Sequence, residues 1–273
     1  MRSRLSSRRG AGSLLGVMTT AVAISCALVA CGSSSTGSPA ASSAASGGAV
    51  QGSITVFAAA SLTKAFTTLG TNFQTAHPGT TITVNFGASS ALATQITQGA
   101  PADVFASASA TTMDQVVAAK AAASPRTFAE NVMQIVVPPS NPAEISQLSD
   151  LAKPGVKLVL CQVEVPCGST AAKVLSNAKL TVKPVSQEAD VKSTLSKVSL
   201  GEADAALVYV TDVLAAKGKV TGIAIPAAVN ASTSYPIAPL TASKNPGLAA
   251  AFVDYVLSPD GSAVLTAAGF TRP

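Results

Sequence analysis

The chain has 273 residues, with 18 basic and 13 acidic side chains, one histidine and no tryptophan. Four of its arginines precede residue 10, and the first acidic residue is Asp103, so the excess positive charge is concentrated at the N-terminus. Beyond those four arginines, 14 basic residues face 13 acidic ones, and this balance provides no basic block for binding nucleic acid.

The N-terminal segment has the pattern of an export signal. An apolar run from Leu14 to Ala30 follows the arginines, and it is short for a permanent transmembrane helix. The run leads into Leu-Val-Ala-Cys-Gly at residues 28–32, which resembles the bacterial lipobox, whose cysteine is acylated. We predict a lipoprotein signal peptide over residues 1–31 with lipidation at Cys31; the alternative is an ordinary signal peptide that contains a cysteine.

Residues 32–49 have the composition of a flexible linker. They are nearly all serine, glycine and alanine, without apolar periodicity, and we predict a disordered tether. Two acyl chains on Cys31 would bury enough methylene groups for stable anchoring. The predicted location is therefore extracytoplasmic, on the outer face of the cell membrane.

From Gln51 onward, β-rich and helical patterns alternate. The apolar spacing predicts a first set of strands and helices in the order strand 54–57, helix 62–73, strand 81–86, helix 92–96, strand 104–106 and helix 113–117. Such βαβαβ alternation is typical of a sheet with mainly parallel strands and covering helices.

A second set of elements follows, and the chain then returns to the first. The predicted order is strand 133–137, strand 157–161, helix 169–178, helix 188–200, strand 205–210, helix 211–217, apolar segments 223–225 and 235–238, and helices 247–257 and 260–268. This plan predicts an α/β, two-lobed fold like that of the type II periplasmic binding proteins, with mainly parallel sheets. Lobe 1 would comprise residues 50–131 plus 237–273 and lobe 2 residues 132–236, with a hinge at the two crossings.

Four predicted turns lead from a strand or loop into a helix through small or polar residues. They span residues 57–62, 86–91, 165–170 and 188–191. Helix N-termini present unpaired N–H donors and a partial positive charge, and in open parallel sheets such turns lie where ligands bind. A serine before a helix is usually only a cap, but recurrence in both halves favours an anion site.

Four separated motifs along the chain resemble those of the periplasmic molybdate-binding proteins of ABC transporters. They are Val-Phe-Ala-Ala-Ala-Ser-Leu at 56–62, Phe-Gly-Ala-Ser-Ser-Ala-Leu-Ala at 86–93 with Gly-Ala-Pro-Ala-Asp-Val-Phe at 99–105, Gly-Glu-Ala-Asp-Ala-Ala-Leu-Val-Tyr at 201–209, and Ala-Gly-Phe at 268–270. The resemblance extends over essentially all of residues 50–273. It implies an importer component that captures molybdate, and tungstate as well, and delivers it to permease subunits.

The resemblance also implies a set of ligand-binding residues. Ser61 and Ser90 would contribute hydroxyl and backbone N–H groups, Cys167 and Val191 would contribute backbone N–H groups, and Tyr209 its hydroxyl. The family commonly has alanine at the position of Cys167. Cys161 lies six residues before it, and outside the membrane the two can form a disulfide, with a pair of inert thiols as the alternative.

Other functions are less consistent with the sequence. A serine hydrolase needs a base, yet the one histidine, His77, precedes a Pro-Gly turn, and the G-x-S-x-G and G-x-x-x-x-G-K-[ST] motifs are absent. Disulfide exchange favours C-x-x-C rather than the C-x₅-C found here. We therefore expect a non-catalytic monomer without a cofactor or direct metal-cation ligands, and the open alternative is another tetrahedral oxyanion such as sulfate.

Overall fold

The structure is a computed structural model, and it describes residues 50–273. The predicted signal peptide, the lipidation at Cys31 and the tether lie outside the described residues. From residue 50 onward the chain belongs to one compact unit.

Strands and helices alternate over most of the described chain. The strands are β1 (Gly52–Ala59), β2 (Thr80–Gly87), β3 (Val104–Ala106), β4 (Arg126–Val137), β5 (Leu158–Cys161), β6 (Ser186–Glu188), β7 (Ala205–Tyr209), β8 (Thr221–Ala224) and β9 (Ser232–Pro239). The helices are α1 (Thr63–Ala76), α2 (Ser89–Thr97), α3 (Ala110–Ala118), α4 (Pro166–Asn177), α5 (Val191–Ser199), α6 (Val210–Ala215), α7 (Pro246–Leu257) and α8 (Pro259–Ala267). Short 3-10 helices span Ala60–Leu62 and Leu148–Ala152.

The strands form one mixed sheet in the order β2-β1-β3-β9-β4-β7-β5-β6, with β8 also paired to β4. Parallel pairs form at both ends, where β1 joins β2 and β3, and where β5 joins β6 and β7. The central pairs that involve β4 and β9 are antiparallel. The predicted α/β class is confirmed, and the sheet combines the expected parallel pairs with an antiparallel centre.

Strand β4 connects the two halves of the sheet. Its first half pairs with β9 and its second half with β7 and β8, so that the chain passes from one half to the other near Val132. The sequence pattern predicted only residues 133–137 as strand. A register shift between Thr127 and Ala129 interrupts the alternation of the earlier residues and explains the difference. The predicted lobe boundaries stay a prediction.

Strand β6 was not predicted, because its residues Ser186–Glu188 are polar and it forms a three-residue edge of the sheet. The helix predicted from residue 188 begins instead at Val191. Asp190 caps it by accepting hydrogen bonds from the amides of Lys192 and Ser193 at 2.7 and 2.9 Å.

Each half has its own apolar core. In the first half, the helical pattern of Leu62, Phe66, Leu69 and Phe73 is fully buried, and Phe66 and Phe73 make edge contacts with Phe252 of α7. In the second half, buried aliphatic residues of β4, β5 and β7 pack against α4 and α5. These cores hold the carboxyl ends of the parallel strands in place.

Within residues 50–273, none of the helices has by itself the length and apolarity needed to cross a membrane. Helices α7 and α8 reach that length and apolarity only when taken together, and their axes are bent by 60°. The apolar faces of both contribute to the core of the first half.

Candidate functional site

A small cavity lies at the carboxyl ends of the parallel strands, between the two halves of the sheet. Its volume is about 20 Å³ for the centres of water-sized groups, which is room for one small group. The lining residues come from β1, β2 and β7 and from the turns that follow the strands: Ala59, Ala60, Ser61, Gly87, Ala88, Ser89, Ala108, Val165, Pro166, Cys167, Asp190, Val191 and Tyr209.

Helix N-termini from both halves meet at this cavity. Helix α2 follows Ala88 and α4 follows Val165, and neither residue has a side chain that can cap the first turn. Helix α5 is capped, but Asp190 binds the amides of Lys192 and Ser193 and leaves that of Val191 beside the cavity. The first-turn N–H groups therefore provide donors and partial positive charge for an anion.

Ser61 lies in the 3-10 helix that follows β1, and 7% of its surface is exposed. Its Oγ lies 3.0 Å from the hydroxyl of Tyr235 on β9. The structure thus places this predicted residue at the cavity, and it adds a partner that the sequence did not predict.

The second predicted serine requires a correction, because Ser89 lines the cavity and Ser90 does not. Ser90 faces an outer depression between α2 and the turn before α4. The Oγ of Ser89 is buried and accepts a hydrogen bond from the Ala108 amide at 3.0 Å. One residue along a helix turns the side chain by about 100°, so Ser90 points away from the direction in which Ser89 faces the cavity.

A sequence signal for Ser89 did exist. Ser89, Leu92, Ala93 and Ile96 are spaced as one face of a helix, and all four are buried. Ser90 belongs to the other face, with the exposed Thr94 and Thr97.

Tyr209, at the end of β7, has the most unusual hydroxyl group at the site. The residue is 1% exposed, and its OH has no hydrogen-bond partner among the described residues. Burial raises the pKa of this hydroxyl above its ordinary value. The neighbouring Thr170 hydroxyl, which donates to the Pro166 carbonyl at 2.8 Å, acts in the opposite direction without completing a hydrogen bond to Tyr209. The Tyr209 hydroxyl therefore stays protonated and remains a donor. A buried, unpartnered donor beside a cavity is ready to bind an acceptor.

An ion pair supports the backbone around Tyr209. Asp212 is fully buried; its Oδ2 accepts from the Tyr209 amide at 3.3 Å, and its Oδ1 lies 2.8 Å from Lys192 Nζ. Burial raises the pKa of Asp212, and Lys192 acts in the opposite direction. The lysine charge next to Val191 is thereby balanced locally.

Cys161 and Cys167 form a disulfide, with their Cα atoms 5.8 Å apart. The bridge joins the end of β5 to the first turn of α4. Gly168 allows a close approach at the same place, because a Cβ atom there would overlap the carbonyl oxygen of Gln162. The disulfide and the glycine together hold the N-terminus of α4 at the cavity.

The chemistry of the lining is that of neutral donors. None of the lining residues is Lys or Arg, and the one carboxylate, Asp190, is directed back into its own helix. Within residues 50–273, no group of three or more His, Cys, Asp or Glu side chains is placed to hold a metal cation. The arrangement suits a small oxyanion.

Comparison with known proteins agrees with this geometry. Residues 54–271 match the family model of the bacterial extracellular solute-binding proteins. The chain is 45% identical over 222 residues to the molybdate-binding protein ModA of Mycobacterium tuberculosis, with 81% of this chain and 85% of that protein covered.

Solved structures show the same fold. The periplasmic molybdate-binding protein of Azotobacter vinelandii superposes with a TM-score of 0.73 at 21% identity, covering 81% of this chain and 99% of that one. A Clostridium difficile substrate-binding domain, provisionally assigned to a molybdenum ABC transporter, has a TM-score of 0.61 at 27% identity with the same coverage. The chain belongs to the bacterial extracellular solute-binding protein family, together with the molybdate-binding relatives that it matches along most of its length.

Proposed function

We propose that this protein is the extracytoplasmic binding component of an ABC importer and that it captures molybdate, and also tungstate. The observation that carries the proposal is the cavity at which hydroxyl groups and helix N-termini from both halves converge. The molybdate-binding relative at 45% identity supports the choice of ligand.

Neutral donors are sufficient to hold a doubly charged oxyanion. A hydrogen bond to a charged group contributes about 1.5–3 kcal/mol, roughly twice the value for two neutral partners. The hydroxyls of Ser61, Ser89 and Tyr209 and the first-turn amides of α2, α4 and α5 surround the cavity from several directions. Such a shell matches the four oxygens of a tetrahedral dianion.

The same shell disfavours protonated phosphate, which needs an acceptor in the site. The nearest carboxylate is Asp190, whose Oδ1 already accepts two amide hydrogen bonds and whose Oδ2 accepts from Ser193 Oγ at 3.3 Å. Sulfate is the alternative ligand, because it has the same charge and shape as molybdate but a smaller size.

Delivery requires the protein to remain close to its permease. Lipidation of Cys31, followed by the tether of residues 32–49, would keep a mobile monomer at the outer face of the membrane. The role needs no cofactor and no catalysis. His77, the one candidate base, is half-buried directly after α1, and its ring packs at a tilt against Phe73 and does not line the cavity.

Calorimetric titration of residues 50–273 with molybdate, tungstate, sulfate and phosphate tests the proposal. We expect tight binding of molybdate and tungstate, much weaker binding of sulfate, and no binding of phosphate. Equal affinity for sulfate would mean that size does not select the ligand. No heat with molybdate or tungstate would refute the proposed ligand.

The two adjacent serines provide a matched test of the site. We expect Ser89→Ala to weaken molybdate binding by about 1.5 kcal/mol, near the lower limit for a hydrogen bond to a charged group, because the helix amides remain. Ser90→Ala is the control, and its affinity should stay within twofold of the wild type. If calorimetric titration shows that Ser90→Ala weakens molybdate binding and Ser89→Ala does not, Ser90 rather than Ser89 contacts the ligand.

A further inference from the structure

A buried chain of polar groups leads from the centre of the sheet to the cavity. Asn131 on β4 is 2% exposed, and its Nδ2 lies 2.8 Å from Thr211 Oγ1 and 3.4 Å from the Tyr235 hydroxyl. The Tyr235 hydroxyl in turn lies 3.0 Å from Ser61 Oγ. The chain joins residues that are up to 174 positions apart in sequence.

The direction of each hydrogen bond in this chain follows from the chemistry of its members. Asn131 Oδ1 accepts from the Val132 amide at 3.0 Å, so its NH₂ group must be the one that faces Thr211 and Tyr235. An amide NH₂ only donates, and the Tyr235 hydroxyl therefore accepts from Asn131. Its single proton is then free to go to Ser61 Oγ.

Towards the cavity, Ser61 can therefore act as a hydrogen-bond donor. Because its oxygen accepts from Tyr235, its own proton is available to the lining and to a bound ligand. Burial raises the pKa of Tyr235 well above its ordinary value, so its hydroxyl stays protonated and can donate a hydrogen bond to Ser61 Oγ.

We propose that Asn131 is a positioning residue that makes Ser61 a donor, and that it thereby helps to select fully ionised oxyanions over protonated ones. The inference rests on the proposed function, because it assumes a bound anion next to Ser61. Asn131 is buried behind Tyr235 and acts on the ligand only through Tyr235 and Ser61.

The test is a double-mutant cycle in the full chain, with molybdate as the titrant. Asn131→Ala should weaken binding roughly 3- to 12-fold, which corresponds to the range for an ordinary hydrogen bond. In a Ser61→Ala background the same substitution should change affinity less than twofold, because no hydroxyl is left to orient. A purely structural role would weaken binding equally in both backgrounds, and that result would overturn the proposal.

Tyr235→Phe provides a second route if Asn131→Ala does not fold. It removes the middle of the chain and keeps the ring, and its effect on affinity should also disappear in the Ser61→Ala background. Thr80→Val is the control for loss of a buried hydroxyl. The Thr80 hydroxyl donates to the His77 carbonyl at 2.7 Å, at the end of β2 that lies away from the cavity. The molybdate affinity of Thr80→Val should therefore stay at the wild-type value.

The wild-type titration distinguishes a failure of the proposed function from a failure of the role proposed for Asn131. If the wild type does not bind molybdate, the proposed function fails. If the wild type binds and the two backgrounds give equal losses, the role of Asn131 alone fails. A gain of phosphate binding in Asn131→Ala, absent from the wild type, would further support the proposed selection of ionised anions.

Discussion

Replacing Tyr209 by phenylalanine is expected to weaken molybdate binding and at the same time to stabilise the unliganded protein. The hydroxyl is buried without a partner among the described residues, so its removal relieves a desolvation cost of about 1 kcal/mol. In the complex the same hydroxyl would donate to the anion. Its loss should then cost about 1.5–3 kcal/mol of binding free energy, or roughly 10- to 150-fold in Kd.

Urea unfolding without ligand and calorimetric titration measure the two effects separately. Tyr235→Phe is the matched control for stability, because it removes a buried hydroxyl that has partners in Ser61 and Asn131, and it should lower the free energy of unfolding by about 1 kcal/mol. Equal destabilisation by both substitutions would show that the Tyr209 hydroxyl is already satisfied in the unliganded protein. Unchanged affinity of Tyr209→Phe would remove Tyr209 from the site.

Gly168→Ala is expected to destabilise the protein and to abolish tight binding. The added methyl group would overlap the Gln162 carbonyl oxygen and approach that of Cys161, and backbone atoms cannot move aside as a flexible side chain can. We expect a loss of about 3 kcal/mol in the free energy of unfolding, the upper end of the range for overpacking. The displaced first turn of α4 would also move the Cys167 amide away from the cavity.

Gly247→Ala is a matched control for this substitution. Gly247 also lies in the first turn of a helix that begins with proline, α7, but a Cβ atom there has no neighbour within 4 Å. Its replacement should be neutral or should stabilise the protein by about 0.5–1 kcal/mol through the unfolded state. If both alanine variants have wild-type urea midpoints and affinities, the close approach at Gly168 does not position α4.

The sequence predicted most elements because their signals are local. The 3.6-residue spacing of Leu62, Phe66, Leu69 and Phe73 specifies an amphipathic helix wherever it packs, and all four residues are buried. The predicted strand 104–106 has the observed bounds of β3. Edge strand β6 and the first half of β4 escaped prediction because one is polar and the other is interrupted by a register shift.

The candidate site was predicted as a set of turns rather than as a set of atoms. Ser61, Cys167, Val191 and Tyr209 lie on the cavity as expected from the resemblance, since turns at the carboxyl ends of parallel strands meet at one edge of the sheet. The choice between Ser89 and Ser90 depended on the rotation of α2, which the helical spacing indicated and the turn motif did not.

The sequence by itself determined the class of the protein, the order of most of its helices and strands, and the recurrence of anion-binding turns. The tertiary structure decided which groups share one cavity. Asn131, Tyr235 and Ser61 are separated by many residues, and no local pattern relates them. Their hydrogen bonds form because β4 and β9 pair antiparallel in the centre of the sheet, where burial requires each polar group to find a partner.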